Sequence, residues 1–140
     1  MRRFQFNDVS FEAPSDWMDL SIITLAGSDS KTFQPNIVIT REDAPAGSLK
    51  AYAHSQIGDV KRQVKSHELV GERAEKIGST EGYLLEHRMR TPDGHSVRQL
   101  QYFVKSGSDV VVVSLTCAEK ELKARKQMLD GIVESLRVGR

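Results

Sequence analysis

At 140 residues, with 39% hydrophobic and 28% charged side chains, the chain has the size and balance of one folded domain and is not composed like a disordered segment. Its 20 basic and 19 acidic residues give a formal net charge of +1, without the basic excess of a dedicated nucleic-acid binder, so no nucleic-acid partner is expected. The single cysteine excludes an internal disulfide and fits a reducing compartment.

The N-terminal run from Met1 to Phe4 carries two arginines but no apolar stretch behind them, so a secretory signal is not expected. The longest apolar run, residues 110–113, is far too short to cross a bilayer. The expectation is a cytoplasmic protein without stable membrane insertion. A chain of this length buries roughly two-thirds of its unfolded surface and needs no metal or disulfide to fold. No cofactor is expected.

Alternation of apolar and polar residues marks the first strand, Val9-Ser10-Phe11-Glu12, which stops at Pro14. Trp17, the only tryptophan, is expected to pack beneath the first strands as a core or corner residue, with an exposed recognition residue as the alternative. Two further alternating strands follow over residues 20–26 and 36–40, separated by a Gly-Ser-Asp-Ser loop at 27–30. Each is expected to bury one face. The other face mixes apolar with hydrogen-bonding side chains: Ile22 with Thr24, then Asn36 with Val38. Such a face suits neither a dry core nor plain solvent, but fits a peptide or a helix that is both apolar and hydrogen-bonding.

Residues 43–47 read as a connection, and Ser48 as the N-cap of a helix over about 49–65. Leu49, Tyr52, Ala53, Ile57, Val60 and Val64 recur at three- and four-residue steps along it. Gln56, Val60 and Gln63 lie close together on one side of that helix. Residues 68–77 read as a charged edge strand. Strands over 82–90 and 96–105 flank Thr91-Pro92-Asp93-Gly94, where Asp-Gly is a strong turn signal. A strand over 110–116 and a helix over about 118–136 complete the chain. Consecutive strands joined by short turns must be antiparallel. The expected fold is therefore α+β, a mainly antiparallel sheet with two helices packed on one face, in a single domain spanning 1–140. Leu100, Tyr102 and Val104 should face the helices, leaving Gln99 and Gln101 on an open face.

No catalytic signature accompanies these elements. The four histidines, His54, His67, His87 and His95, have no metal-ligand spacing, so no metal site is expected. His67 reads as part of a solvated turn after a helix, and His95 as exposed beside the Asp-Gly turn. Phosphate-cradling loops and a nucleophile elbow are missing from the sequence. Cys117, at the end of an apolar strand, reads as an inert buried thiol. Glu119 and Glu121 are explained by the N-terminal dipole of the last helix. The chain is not expected to be an enzyme.

Three stretches together carry a resemblance: Phe11-Glu12-Ala13-Pro14, then Trp17-Met18-Asp19-Leu20-Ser21-Ile22, then Ile37-Val38-Ile39-Thr40-Arg41-Glu42. Together they resemble the DcrB-like domain of the PsbP-like fold superfamily, and within it the small Eag chaperones of bacterial type VI secretion effectors. Tyr52 with Gln56, and Arg98 with Gln99, fit the same pattern. The resemblance spans essentially the whole chain and implies a PsbP-like two-layer sandwich that forms a homodimer. It also implies a partner: the hydrophobic N-terminal transmembrane helices of a secreted effector that carries a PAAR domain. The client-binding positions it implies are Ile22, Thr24, Asn36, Val38, Gln56, Val60, Val64 and Gln99. Thr24, Asn36, Val60 and Val64 depart from the family's residue types, so the client's identity does not carry over. Three other readings compete: an envelope lipoprotein of the DcrB kind, a regulator of a small GTPase or another soluble partner on the same fold, and an unrecognised enzyme.

Overall fold

The computed structural model describes residues 1–28, 33–43 and 47–139. The expected loop at 27–30 and the connection at 43–47 therefore lie partly outside the described residues. The chain opens with a hairpin of β1 (Arg2–Phe6) and β2 (Val9–Ala13), turned at Asn7, whose φ of 56° places it in the left-handed region. Only the second of these strands is legible in the sequence pattern. The hairpin holds itself together by stacking Phe4, Phe6 and Phe11 at centroid distances of 5.7–6.4 Å, with the Arg2 guanidinium over Phe4.

The main sheet has six antiparallel strands in the order β3-β4-β8-β7-β6-β5. They are β3 (Ile23–Ala26), β4 (Asn36–Asp43), β5 (Glu68–Ala74), β6 (Gly82–Arg90), β7 (Ser96–Ser106) and β8 (Asp109–Ala118). The long β6-β7-β8 meander lies inside the sheet and carries buried apolar residues on both faces, and β3 and β5 are the edges. Helix α1 (Leu49–Gln63) starts where the Ser48 hydroxyl accepts the amide of Ala51. A single 3-10 turn, Glu119–Glu121, leads into α2 (Leu122–Ser135).

The α+β class, the antiparallel sheet and the two helices are as the sequence pattern indicates. The helices, however, pack on opposite faces. Leu84, Tyr102, Val104, Val111, Val113 and Leu115 pack with Leu129, Ile132 and Val133 of α2. Their immediate strand neighbours Tyr83, Leu85, Phe103, Val110 and Val112 pack with Leu49, Tyr52, Ala53 and Ile57 of α1. Successive residues of a strand point to opposite faces, so the two clusters lie on opposite sides of the sheet, which makes three layers. The expectation of one covered face took the Gln99, Gln101 and Phe103 side as open, yet Phe103 on that side is fully buried beneath α1.

Candidate functional site

The register of the sheet assembles two rows of side chains on the face that carries α1. One row runs Thr24, Val38, Ser114, Gln101, Leu85 from β3 to β6; the next runs Ala26, Asn36, Thr116, Gln99, His87. Toward the other end of the same face the rows become apolar, with Val112, Phe103 and Tyr83. The N-terminal half of α1 covers that apolar end through Leu49, Tyr52 and Ala53. The face is therefore graded, with dry packing under the start of α1 and a field of amides, hydroxyls and imidazoles under and beside its end.

The polar field is wired. Gln99 Nε2 donates to Thr116 Oγ1 at 3.2 Å, and Gln101 Oε1 lies 2.9 Å from His87 Nε2. His87 Nδ1 in turn lies 2.6 Å from His67 Nε2. Both imidazoles are held below the ordinary histidine range, chiefly because burial disfavours their charged forms. His67 is buried and paired, which corrects its reading as a solvated turn residue: the turn after α1 folds its ring inward onto β6.

Two tyrosine–glutamate pairs clamp α1 from either flank. Tyr52 donates its hydroxyl to Glu42 of β4, and Tyr83 donates to Glu72 at 2.6 Å while Glu72 also meets His54 of α1 at 2.6 Å. Burial, then the Glu42 carboxylate, pushes the Tyr52 phenol up, whereas the Tyr83 hydroxyl bond draws Glu72 down. These clamps fix the rotation of α1. Tyr52 points toward β4 and His54 toward β5, so Gln56, one turn after Tyr52, lies on the flank toward β4.

All eight sequence-nominated residues fall on this side of the sheet. Thr24 and Val38 oppose each other directly, and Asn36 and Gln99 flank Thr116, about 10 Å apart at two strand spacings. Val60 and Val64, half-buried, continue the α1 line that includes Gln56. Ile22 immediately precedes β3, and continuing the strand's alternation by one residue would put it on the side of Thr24. Asn36 Nδ2 reaches the Gln34 carbonyl at 3.3 Å and Gln56 Nε2 the Ser55 hydroxyl at 3.4 Å, both long bonds that engage only part of each amide.

Several apolar side chains between residues 17 and 25 stand exposed. Trp17 is 63% exposed, Leu20 75%, Ile22 67% and Leu25 65%. Trp17 is thus a surface residue, correcting its expected place in the core. The strand expected over 20–26 shortens to the four residues of β3, all exposed, so neither face of it is buried as expected. Sequence reasoning also missed Ser114, Thr116, His67 and His87. The two hydroxyls were legible from the alternation Val110, Val112, Ser114, Thr116, but the imidazole pair has no spacing signal, because it forms only when the α1–β5 turn meets β6.

On the α2 face the chemistry is different. Leu25, Ile37, Leu115, Met128 and Ile132 line an apolar groove of about 270 Å³. Beside the start of α2, Arg98 is buried with Glu119 at 2.6 and 2.9 Å and is also paired with Glu86. Glu119 thus serves an ion pair, and it lies in the 3-10 turn before α2 rather than in the first turn of that helix. Burial raises the Cys117 thiol, which fits an unreactive side chain. Among the described residues no group of three or more His, Cys, Asp or Glu converges as a metal site, and no helix is long and apolar enough to cross a membrane.

Three solved structures share the fold. A Pseudomonas aeruginosa protein of unknown function, PA94, suggested to be a regulator, aligns over 98% of this chain and 96% of its own, with a TM-score of 0.84 and 18% identity. The cyanobacterial PsbP of Synechocystis sp. PCC 6803 aligns over 98% and 91%, with a TM-score of 0.61 and 15% identity. LpqN, involved in cell envelope biogenesis of Mycobacterium tuberculosis, aligns over 84% and 80%, with a TM-score of 0.55 and 15% identity. No curated protein matches the sequence. The DcrB family model matches residues 9–135, nearly the whole chain, and the protein belongs to the DcrB family.

Proposed function

We propose that this DcrB-family protein is a cytoplasmic chaperone, acting as a homodimer, for the N-terminal transmembrane helices of a PAAR-containing type VI secretion effector before export. The observation that carries the reading is the open part of the α1 face. Exposed Ile22 and half-buried Val38, Val60 and Val64 stand there among Thr24, Asn36, Gln56 and Gln99. A membrane-bound helix offers the complementary chemistry. Its apolar exterior needs shielding in water, and burial stabilises by about 25 cal/mol per Å². Its small and polar residues, which pack against other helices in the bilayer, need hydrogen-bonding partners. The partly engaged amides of Asn36, Gln56 and Gln99 supply them, and each polar group left unpaired in a dry groove would cost about 1–3 kcal/mol. No catalytic step is required, and the protein is read as a binder, not an enzyme.

The test is co-expression with the product of an adjacent PAAR-type gene, followed by affinity purification and mass measurement of the complex. A soluble complex that depends on the effector's apolar N-terminal segment supports the reading and gives the stoichiometry. An effector that is soluble alone and does not co-purify overturns it.

A second reading, an envelope-associated or regulatory protein-binding domain, draws on the family membership and on the roles named for LpqN and the P. aeruginosa protein. Fractionation of the native protein with the cell envelope, without an effector bound, would favour it.

A further inference from the structure

The turn between α1 and β5 is tied to the sheet by a chain of rings with no place for an extra proton. Gln101 presents its amide oxygen to His87 Nε2, so His87 carries its proton there and leaves Nδ1 as a lone pair. That lone pair only accepts, so His67 carries its proton on Nε2, 2.6 Å away. His67 Nδ1 is left as a bare acceptor, buried and without a partner among the described residues. Both rings are neutral and both tautomers are fixed. A third proton ends at the same place by either route. It lands on His67 Nδ1 directly, or it lands on His87 Nδ1, in which case His67 Nε2 must turn acceptor and its proton moves to Nδ1. Each outcome leaves an N–H with no acceptor beside a buried charge.

The surroundings do not neutralise that charge. From α1, Lys61 adds a positive field at His67. From β5, Leu69 stands opposite His87. Glu72 on the same face is engaged by Tyr83 and His54, and Glu68 pairs with Arg88. From β7, Gln99 and Gln101 are neutral. The rings also hold the end of the helix, because His67 follows the α1 C-cap Val64 and donates its backbone N–H to the Val64 carbonyl at 3.2 Å.

We infer that the His67–His87–Gln101 chain is a proton-sensitive latch that holds the C-terminal half of α1 and its following turn to the sheet and releases them on mild acidification. Above the ordinary histidine value of about 6.5 the rings are neutral whether the latch is open or closed, and it is fully shut. Below that value the open state takes up protons that the closed state refuses, so opening gains as the pH falls. Because α1 carries Gln56, Val60 and Val64, opening would loosen one wall of the client groove. That consequence rests on the chaperone reading; the opening itself does not.

The experiment uses the free full-length chain. Amide hydrogen exchange, corrected for intrinsic rates, is followed from pH 7.5 to 5 for residues 57–64 of α1 and, as reference, residues 111–115 of β8. Imidazole nitrogen shifts report the tautomers in the same samples. The expected result is two Nε2-protonated rings at pH 7.5 and a loss of α1 protection of roughly tenfold by pH 5 with β8 unchanged. The pH dependence should be weakened in His67→Gln, and His87→Asn provides a second variant if that one folds poorly. Unchanged α1 protection in the wild type, or equal losses in α1 and β8, would overturn the latch. Because no effector is present, failure of the latch and failure of the chaperone reading are separate results.

Discussion

The two faces of the central sheet are built from the same strands and solve opposite problems. The α2 face is apolar along β6, β7 and β8, from Leu84 through Tyr102 and Val113 to Leu115, and its one buried charge, Arg98, is fully occupied by Glu119 and Glu86. The α1 face is apolar only under Leu49 and Ala53 and then gives way to Gln99, Gln101, Ser114, Thr116 and the imidazole pair. Both faces hold a buried apolar cluster, the larger on the α2 side, and recognition is proposed for the α1 side. A sheet that is dry on one side can afford unsatisfied or half-satisfied amides on the other.

The largest effect should come from breaking the dry face. Leu84→Ala removes a side chain that is 1% exposed and should cost about 2–5 kcal/mol in denaturant unfolding, with the helical circular dichroism retained in buffer. A loss under 1 kcal/mol would mean that this face collapses around the gap and is not the rigid one. Next comes its ion pair. Glu119→Gln leaves the Arg98 guanidinium with Glu86 alone and should cost about 1–3 kcal/mol, less than a fully buried pair because Glu119 is a quarter exposed. The Arg98 guanidinium holds the Glu119 carboxyl below its usual value. Its contribution is therefore complete at neutral pH and lost as the pH falls through that lowered native value, so acid unfolding of the variant should lose that portion of its pH dependence.

A smaller effect separates the faces by pH. Between pH 7 and 5.5 wild-type stability should decline, because unfolded histidines take up protons that His67 and His87 refuse in the native state. Urea midpoints across that range check this, and a flat profile would contradict the neutral assignment of both rings. The smallest effect on the fold tests the recognition face. Gln99→Leu removes the bond to Thr116 but adds apolar surface, and should stay within about 1 kcal/mol of wild type. Its effect should appear instead as a lower level of client in cells, and an unchanged client level would argue against the amide's role.

Much of this was legible in the residues because periodicity survives in any environment. The alternation along residues 96–105 and the apolar run at 110–116 set the central strands, Asp93-Gly94 the turn before the first of them, and Ser48 the start of α1. Of the candidate site, eight residues could be named from the sequence, but not their arrangement, and the hydroxyls of Ser114 and Thr116 and the imidazole pair were missed. Thr24, Asn36 and Val38 share a face by simple alternation. That Gln56 belongs with them depended on the rotation of α1, which the Tyr52–Glu42 and His54–Glu72 pairs decide from three different elements.

What the sequence determined by itself was therefore the identity of the two helices and of the strands from β2 onward, the absence of a catalytic spacing, and the amphipathic character of each helix, because these depend on residues a few positions apart. Only the tertiary structure decided the rest. It put α1 and α2 on opposite faces, left Trp17 and all of β3 in solvent, and brought His67 onto His87 across the α1–β5 turn. The physical reason is the same in each case. β6, β7 and β8 carry buried apolar residues on both sides, so alternation alone names two faces without saying which helix covers which, and that choice is made by contacts between residues far apart in the chain.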